Sequence, residues 1–140
     1  MKEKLYLSPK LYVGKSPIHG YGVFTSEDLK KSEIVEQAYY IIPNNEKWED
    51  LDAEFVKYFF GVPFLQDHYK DFADKHEGVK FLHVTRPICV LGFGMIYNHD
   101  QGPNIDYTIN ERSRIVQYKT NQSVSAGSEL KIKYNPYIQF

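Results

Sequence analysis

Apolar positions along this 140-residue chain fall mostly in short runs separated by polar, Gly or Pro positions, the spacing of strands rather than of long helices. Leu5 to Val13 mixes Leu, Tyr and Val around a Ser-Pro break and predicts a short strand entering a loop from Gly14 to Tyr21. Val23-Phe24-Thr25 reads as strand, and Asp28 to Glu33 as polar turn. Ile34 to Ile42 is rich in strand formers until Pro43 stops it, which predicts a central strand. Lys80 to Val84 and Ile88 to Leu91 predict strands flanking Arg86-Pro87. Ile109 and Ile115 to Tyr118 flank Asn110-Glu111-Arg112-Ser113, a hairpin turn. Val124 lies before an Ala126-Gly127 turn. Leu130, Ile132 and Tyr134 then alternate with Glu129, Lys131 and Lys133, the period of two of a half-buried strand.

One segment has a helical period. Asn44 or Asn45 can cap a helix in which Trp48, Leu51, Phe55, Tyr58 and Phe59 recur at helical spacing, with Glu49, Asp50 and Asp52 at the end where the helix dipole favours acids. Pro63 closes it. His68 to Glu77 reads either as a second short helix or as an exposed insertion. The pattern is many short strands with little helix, and no repeat or low-complexity segment interrupts it.

The length fits one domain spanning 1–140, since domains commonly run ~100–150 residues. Forty-two per cent hydrophobic residues, with 12 Tyr and 9 Phe, supply a core large enough for the chain to fold alone. Seventeen Lys and Arg against 18 acids leave a net charge of −1, which argues against direct binding to nucleic acid phosphates. No stretch approaches the ~20 apolar residues of a membrane span, and the N-terminus lacks the apolar core of a secretion signal, so the chain reads as soluble and intracellular. Cys89, the one cysteine, lies in Ile88-Cys89-Val90-Leu91 and reads as a buried small hydrophobe rather than a nucleophile. The five His, including His68, His76 and His83, have no ligand-like spacing with cysteine, so no metal is expected.

Gly20-Tyr21-Gly22 alone signals a tight turn, and Asn98-His99 alone a turn before a proline loop. Their company changes the reading. Ser16 to Phe24, then Gly92 to His99 with Pro103-Asn104, then Gly127 to Tyr134 resemble, in order, the three signatures of the SET-domain protein-lysine methyltransferases, over about residues 11–137. The likeness is greatest to the minimal, stand-alone viral members, through Leu91-Gly92-Phe93-Gly94 and Tyr97-Asn98-His99. Asp100 stands where the family usually has Ser, Ser128 where it usually has Glu, and Lys133 where many members have Asp. The resemblance implies the catalytic core alone, with no pre-SET or zinc-binding post-SET segment expected.

The resemblance implies a mainly β fold, the β-clip arrangement of several small sheets with a C-terminal pseudoknot and one or two short helices. It implies an S-adenosylmethionine-dependent protein-lysine N-methyltransferase acting on a protein or peptide lysine, with a histone tail as the leading substrate. A non-histone lysine and a catalytically silent peptide-binding module are the alternatives, and a homodimer that covers apolar surface is compatible with so small and aromatic a domain. By the same resemblance His19, Gly20, Tyr21 and Gly22 meet the methionine moiety of the cofactor, and Asn98 and His99 anchor its amino-acid and adenine ends. Tyr134 carries catalysis and also touches the cofactor, and Tyr21 lines the active site beside it. Tyr97, Ile132 and Tyr137 belong to the lysine channel, and either Tyr137 or Phe140 folds over the cofactor. Tyr58 is either a wall of that channel or core packing with Phe55 and Phe59. Ile132, two before Tyr134 and without a hydroxyl, implies di- or trimethylation.

Such chemistry suits these residue types. Methyl transfer from a sulfonium to an amine is an in-line displacement, so the site must hold nucleophile, methyl and sulfur in one line. A lysine entering a dry channel beside a positive sulfonium loses its proton more readily, through desolvation and like charge. A tyrosine hydroxyl can orient the amine lone pair, and backbone carbonyls can favour the polarised methyl through weak C–H···O contacts.

Overall fold

The computed structural model describes residues 4–43, 51–52, 54, 58, 60–63 and 85–133. It divides into two compact units, residues 1–40 with 90–134, and residues 41–89 with 135–140. Ten strands form the described elements: β1 (Tyr6–Leu7), β2 (Leu11–Lys15), β3 (Tyr21–Thr25), β4 (Ile34–Ile41), β5 (Phe60–Pro63), β6 (Thr85–Val90), β7 (Asn98–His99), β8 (Ile105–Asn110), β9 (Ile115–Thr120) and β10 (Glu129–Ile132). The fold is mainly β, in several small sheets, as the resemblance implied.

The first unit holds two sheets. In one, β4 pairs antiparallel with β1 and with β9, and β9 pairs with β8. Val35, Glu36, Gln37 and Ala38 are all buried, so β4 is covered on both faces, which is why its sequence reads as a near-continuous run. β8 and β9 form the predicted hairpin. Asn110 accepts the Arg112 and Ser113 amides at 3.1 and 3.2 Å on its side-chain oxygen, the Asx turn that lets the chain reverse there.

The second sheet runs β2-β3-β10-β7. β10 lies antiparallel to β3, with Leu130 opposite Val23, and parallel to β7, with Lys131 opposite Asn98 and Ile132 opposite His99. Leu130 and Ile132 are fully buried while Glu129 and Lys131 are half-buried, the alternation expected from the sequence. The core of this unit gathers Val23, Val35, Tyr97, Ile105, Val116, Tyr118, Leu130 and Ile132.

In the second unit β5 and β6 pair antiparallel, with Gly61 opposite Pro87. Here the structure corrects the sequence reading: Arg86-Pro87 lies within a strand and does not separate two. A proline fits a ladder wherever its missing N–H is not called for. The predicted N-terminal strand is likewise two, split at Ser8-Pro9, where the buried Ser8 donates its amide to Val35 O at 2.9 Å. The helix predicted from Asn44 or Asn45 to Phe59, the segment His68 to Glu77 and the strand Lys80 to Val84 lie largely or wholly outside the described residues.

Candidate active site

Three segments far apart in sequence meet at one amide. The tight link between β2 and β3, closed by Ser16 N–H donating to Gly20 O at 2.8 Å, carries His19, Gly20 and Tyr21 past the start of β7. Asn98 opens β7 and is 6% exposed. Its Nδ2 donates to Glu129 Oε2 on β10 at 2.8 Å and lies 3.2 Å from both His19 O and Tyr21 O. Glu129 also accepts the Ser16 hydroxyl, at 2.7 Å on Oε1 and 3.0 Å on Oε2. Gly22 makes this approach possible: a Cβ there would overlap Glu129 Oε2 and come to 3.0 Å from Asn98 Nδ2. Only a glycine leaves that space.

Asn104 joins β10 from the other side. Its Nδ2 donates to Glu129 O at 2.9 Å, and its Oδ1 accepts Lys131 N–H at 2.8 Å. Asp100 N–H donates to Ile132 O at 2.9 Å, extending the parallel ladder. The Asp100 carboxylate accepts Gly102 N–H at 2.7 Å and faces Lys131 Nζ at 3.4 Å. The Gly102 amide first, then Lys131, holds its carboxyl below the usual range, so Asp100 has local partners of its own.

Beneath β7 lies a second polar cluster. Glu36, 2% exposed on β4, accepts the Tyr97 hydroxyl at 2.8 Å and Phe93 N–H at 2.9 Å. Burial pushes its carboxyl up to about 7, against the two hydrogen bonds that favour the charged form. Gly92, at φ +68, leaves room for the carboxylate, which a Cβ there would overlap. Tyr97 stacks on Tyr118 at 4.7 Å between ring centroids. Tyr97, next to Asn98 in the chain, is thereby held both at its hydroxyl and at its ring.

The structure brings His19, Gly20, Tyr21, Gly22, Asn98 and His99 together in the first unit. Tyr21 is 61% exposed, whereas Tyr97 and Ile132 are fully buried. Tyr134 and Tyr137 lie outside the described residues, and Tyr58, 39% exposed, belongs to the second unit. Cys89 is half-buried and burial pushes its thiol up, away from reactivity. No cluster of three or more metal-ligating side chains occurs among the described residues.

Sequence reasoning missed Glu129, Ser16, Asn104 and Glu36 as site-builders. Asn104 and Glu129 were within the quoted motifs but had no contact to give them a role. Glu36 had its own signal, a carboxylate in the middle of a strand otherwise fit for burial.

The SET domain family model matches residues 20–135. The chain belongs to the SET-domain family. That membership makes it a protein-lysine methyltransferase by class. A fission yeast relative, described as a histone-lysine N-methyltransferase specific for H3 lysine-37, is 22% identical over 121 residues, covering 86% of this chain and 70% of its own. The crystal structure of a candidate histone methyltransferase from Plasmodium falciparum superposes with a TM-score of 0.61 at 24% identity, covering 93% of this chain and 96% of that one. This likeness bears on the fold. SET-domain methyltransferases as a family use S-adenosylmethionine.

Proposed function

We propose that this SET domain transfers methyl groups from S-adenosylmethionine to a lysine of a histone tail. The observation that carries the reading is the convergence of the 16–22 link, β7 and β10 on the Asn98 amide. The residues present fit the amino-acid end of such a cofactor. Asn98 Oδ1 takes no donor from the described residues, and an ammonium group would supply one. Beside Gly20, at φ +49, space is open where a Cβ would stand.

In this reading the backbone of His19, Gly20, Tyr21 and Gly22, together with Asn98, His99 and Tyr134, holds the cofactor, which when bound supplies an electrophilic methyl on a sulfonium. Tyr134 orients the lysine lone pair, and Tyr21 screens the reacting amine from water. The resemblance assigns Tyr97, Ile132 and Tyr137 to the lysine channel, and Tyr58 either to its wall or to core packing. The apolar Ile132 holds no ordering water, which favours di- or trimethylation. The fission yeast relative's description supports a histone as the substrate class.

Transfer of labelled methyl to a histone panel and to a cell lysate, comparing wild type with Tyr134→Phe, tests this. Transfer to histones that collapses in the variant supports the proposal. Labelling of lysate proteins alone would replace histones with another lysine substrate, and cofactor binding with no transfer to either would make the domain a silent peptide-binding module.

A further inference from the structure

Asn98 is held by more acceptors than it has hydrogens to give. Its NH2 carries two, and three oxygens lie within reach: Glu129 Oε2 at 2.8 Å, and His19 O and Tyr21 O at 3.2 Å each. An amide can sit in either of two senses, a half-turn apart, presenting oxygen or nitrogen to the same place. Carbonyls and a carboxylate accept and never donate, so they drive the NH2 inward and leave Oδ1 outward. Glu129 is the nearest of the three, and a hydrogen bond to an ionised acceptor is roughly twice as strong as a neutral one. Such a bond also polarises the amide, making Oδ1 a better acceptor.

The carboxylate is itself fixed. Ser16 Oγ accepts Ile18 N–H at 3.0 Å and commits its own hydrogen to Glu129. Among the described residues Glu129 makes no ion pair. Its charge therefore acts on Asn98 without a competing cation among them.

We propose that Glu129 is a positioning residue for cofactor selection: with Ser16 it fixes and polarises the Asn98 amide with Oδ1 outward, so that the site selects a ligand bearing an ammonium donor at that point. The inference rests on the S-adenosylmethionine reading above. A glutamine at 129 keeps the size, removes the charge and offers Asn98 either an oxygen or an NH2, so both senses of the amide become satisfiable.

The test uses isothermal titration of the full chain with S-adenosylhomocysteine and with its analogue in which hydrogen replaces the α-amino group. Wild type should prefer the amino-bearing ligand. In Glu129→Gln that preference should fall about tenfold, the size of one charge-assisted hydrogen bond, while affinity for the analogue holds. In an Asn98→Ala background the same substitution should leave the preference unchanged, because Glu129 acts through Asn98. Ser16→Ala, which leaves both residues in place, should lower the preference by a smaller factor and covers the case in which the double variant does not fold. Equal loss of both ligands in Glu129→Gln, or an undiminished effect without Asn98, would overturn the inference while leaving the cofactor reading intact. A folded wild type that binds neither ligand would overturn the cofactor reading itself and the inference with it.

Discussion

Glu36 should make the stability of this domain fall as pH rises toward neutrality. Its carboxyl ionises at about 7 in the fold against an ordinary value of 4.5, because burial removes the charge from water more than the Phe93 and Tyr97 hydrogen bonds compensate. A folded-state pKa raised above the unfolded one means that the native state holds the proton longer. The stabilisation is thus complete below 4.5 and is lost as pH climbs through about 7. At about 1.4 kcal/mol per pH unit, the gap corresponds to about 3 kcal/mol, of which roughly 2.5 kcal/mol falls between pH 5 and 8. Glu36→Gln preserves the volume and removes the titration, and charges elsewhere cancel when the two proteins are compared at each pH. Urea denaturation followed by circular dichroism at pH 5, 6, 7 and 8 gives both stabilities. Wild type minus variant should decline by roughly that amount over the range. A difference flat to within about 0.5 kcal/mol would refute the argument, since a carboxyl titrating in the fold as it does in the unfolded chain produces no slope.

Other substitutions probe the site more directly. Gly22→Ala places a methyl on Glu129 Oε2 and should cost about 1–3 kcal/mol of stability as the link is forced off the strand, measured by thermal unfolding. Asn104→Ala removes the side-chain bonds to Glu129 O and Lys131 N–H and should destabilise by about 1–3 kcal/mol, with amide hydrogen exchange rising in β10 before the rest of the first unit. Asp100→Ser restores the residue usual in the family; because Asp100 is engaged with Gly102 and Lys131, affinity for S-adenosylhomocysteine should be unchanged, and a large gain in binding would show that the carboxylate repels the ligand.

Much of this molecule is written in local pattern. A strand that is covered on both faces needs a continuous run, and Ile34 to Ile41 has it; a hairpin needs a residue that satisfies the turn's amides, and Asn110 provides it. β10 is marked by its alternation, and the three motifs carry the family in local sequence. Those features depend on neighbours along the chain, which is why the sequence alone determined them. The site's supports do not. Asn98 and Glu129 are 31 residues apart and Ser16 and Glu129 are 113 apart, and nothing in their local spacing says that one carboxylate will receive both side chains. Pro87 shows the same limit in the other direction: read locally it breaks a strand, while the pairing with β5 accommodates it. Where Glu129 points, what Glu36 is buried against and which atom of the Asn98 amide Glu129 engages are consequences of strand pairing at long range, and only the tertiary structure decided them.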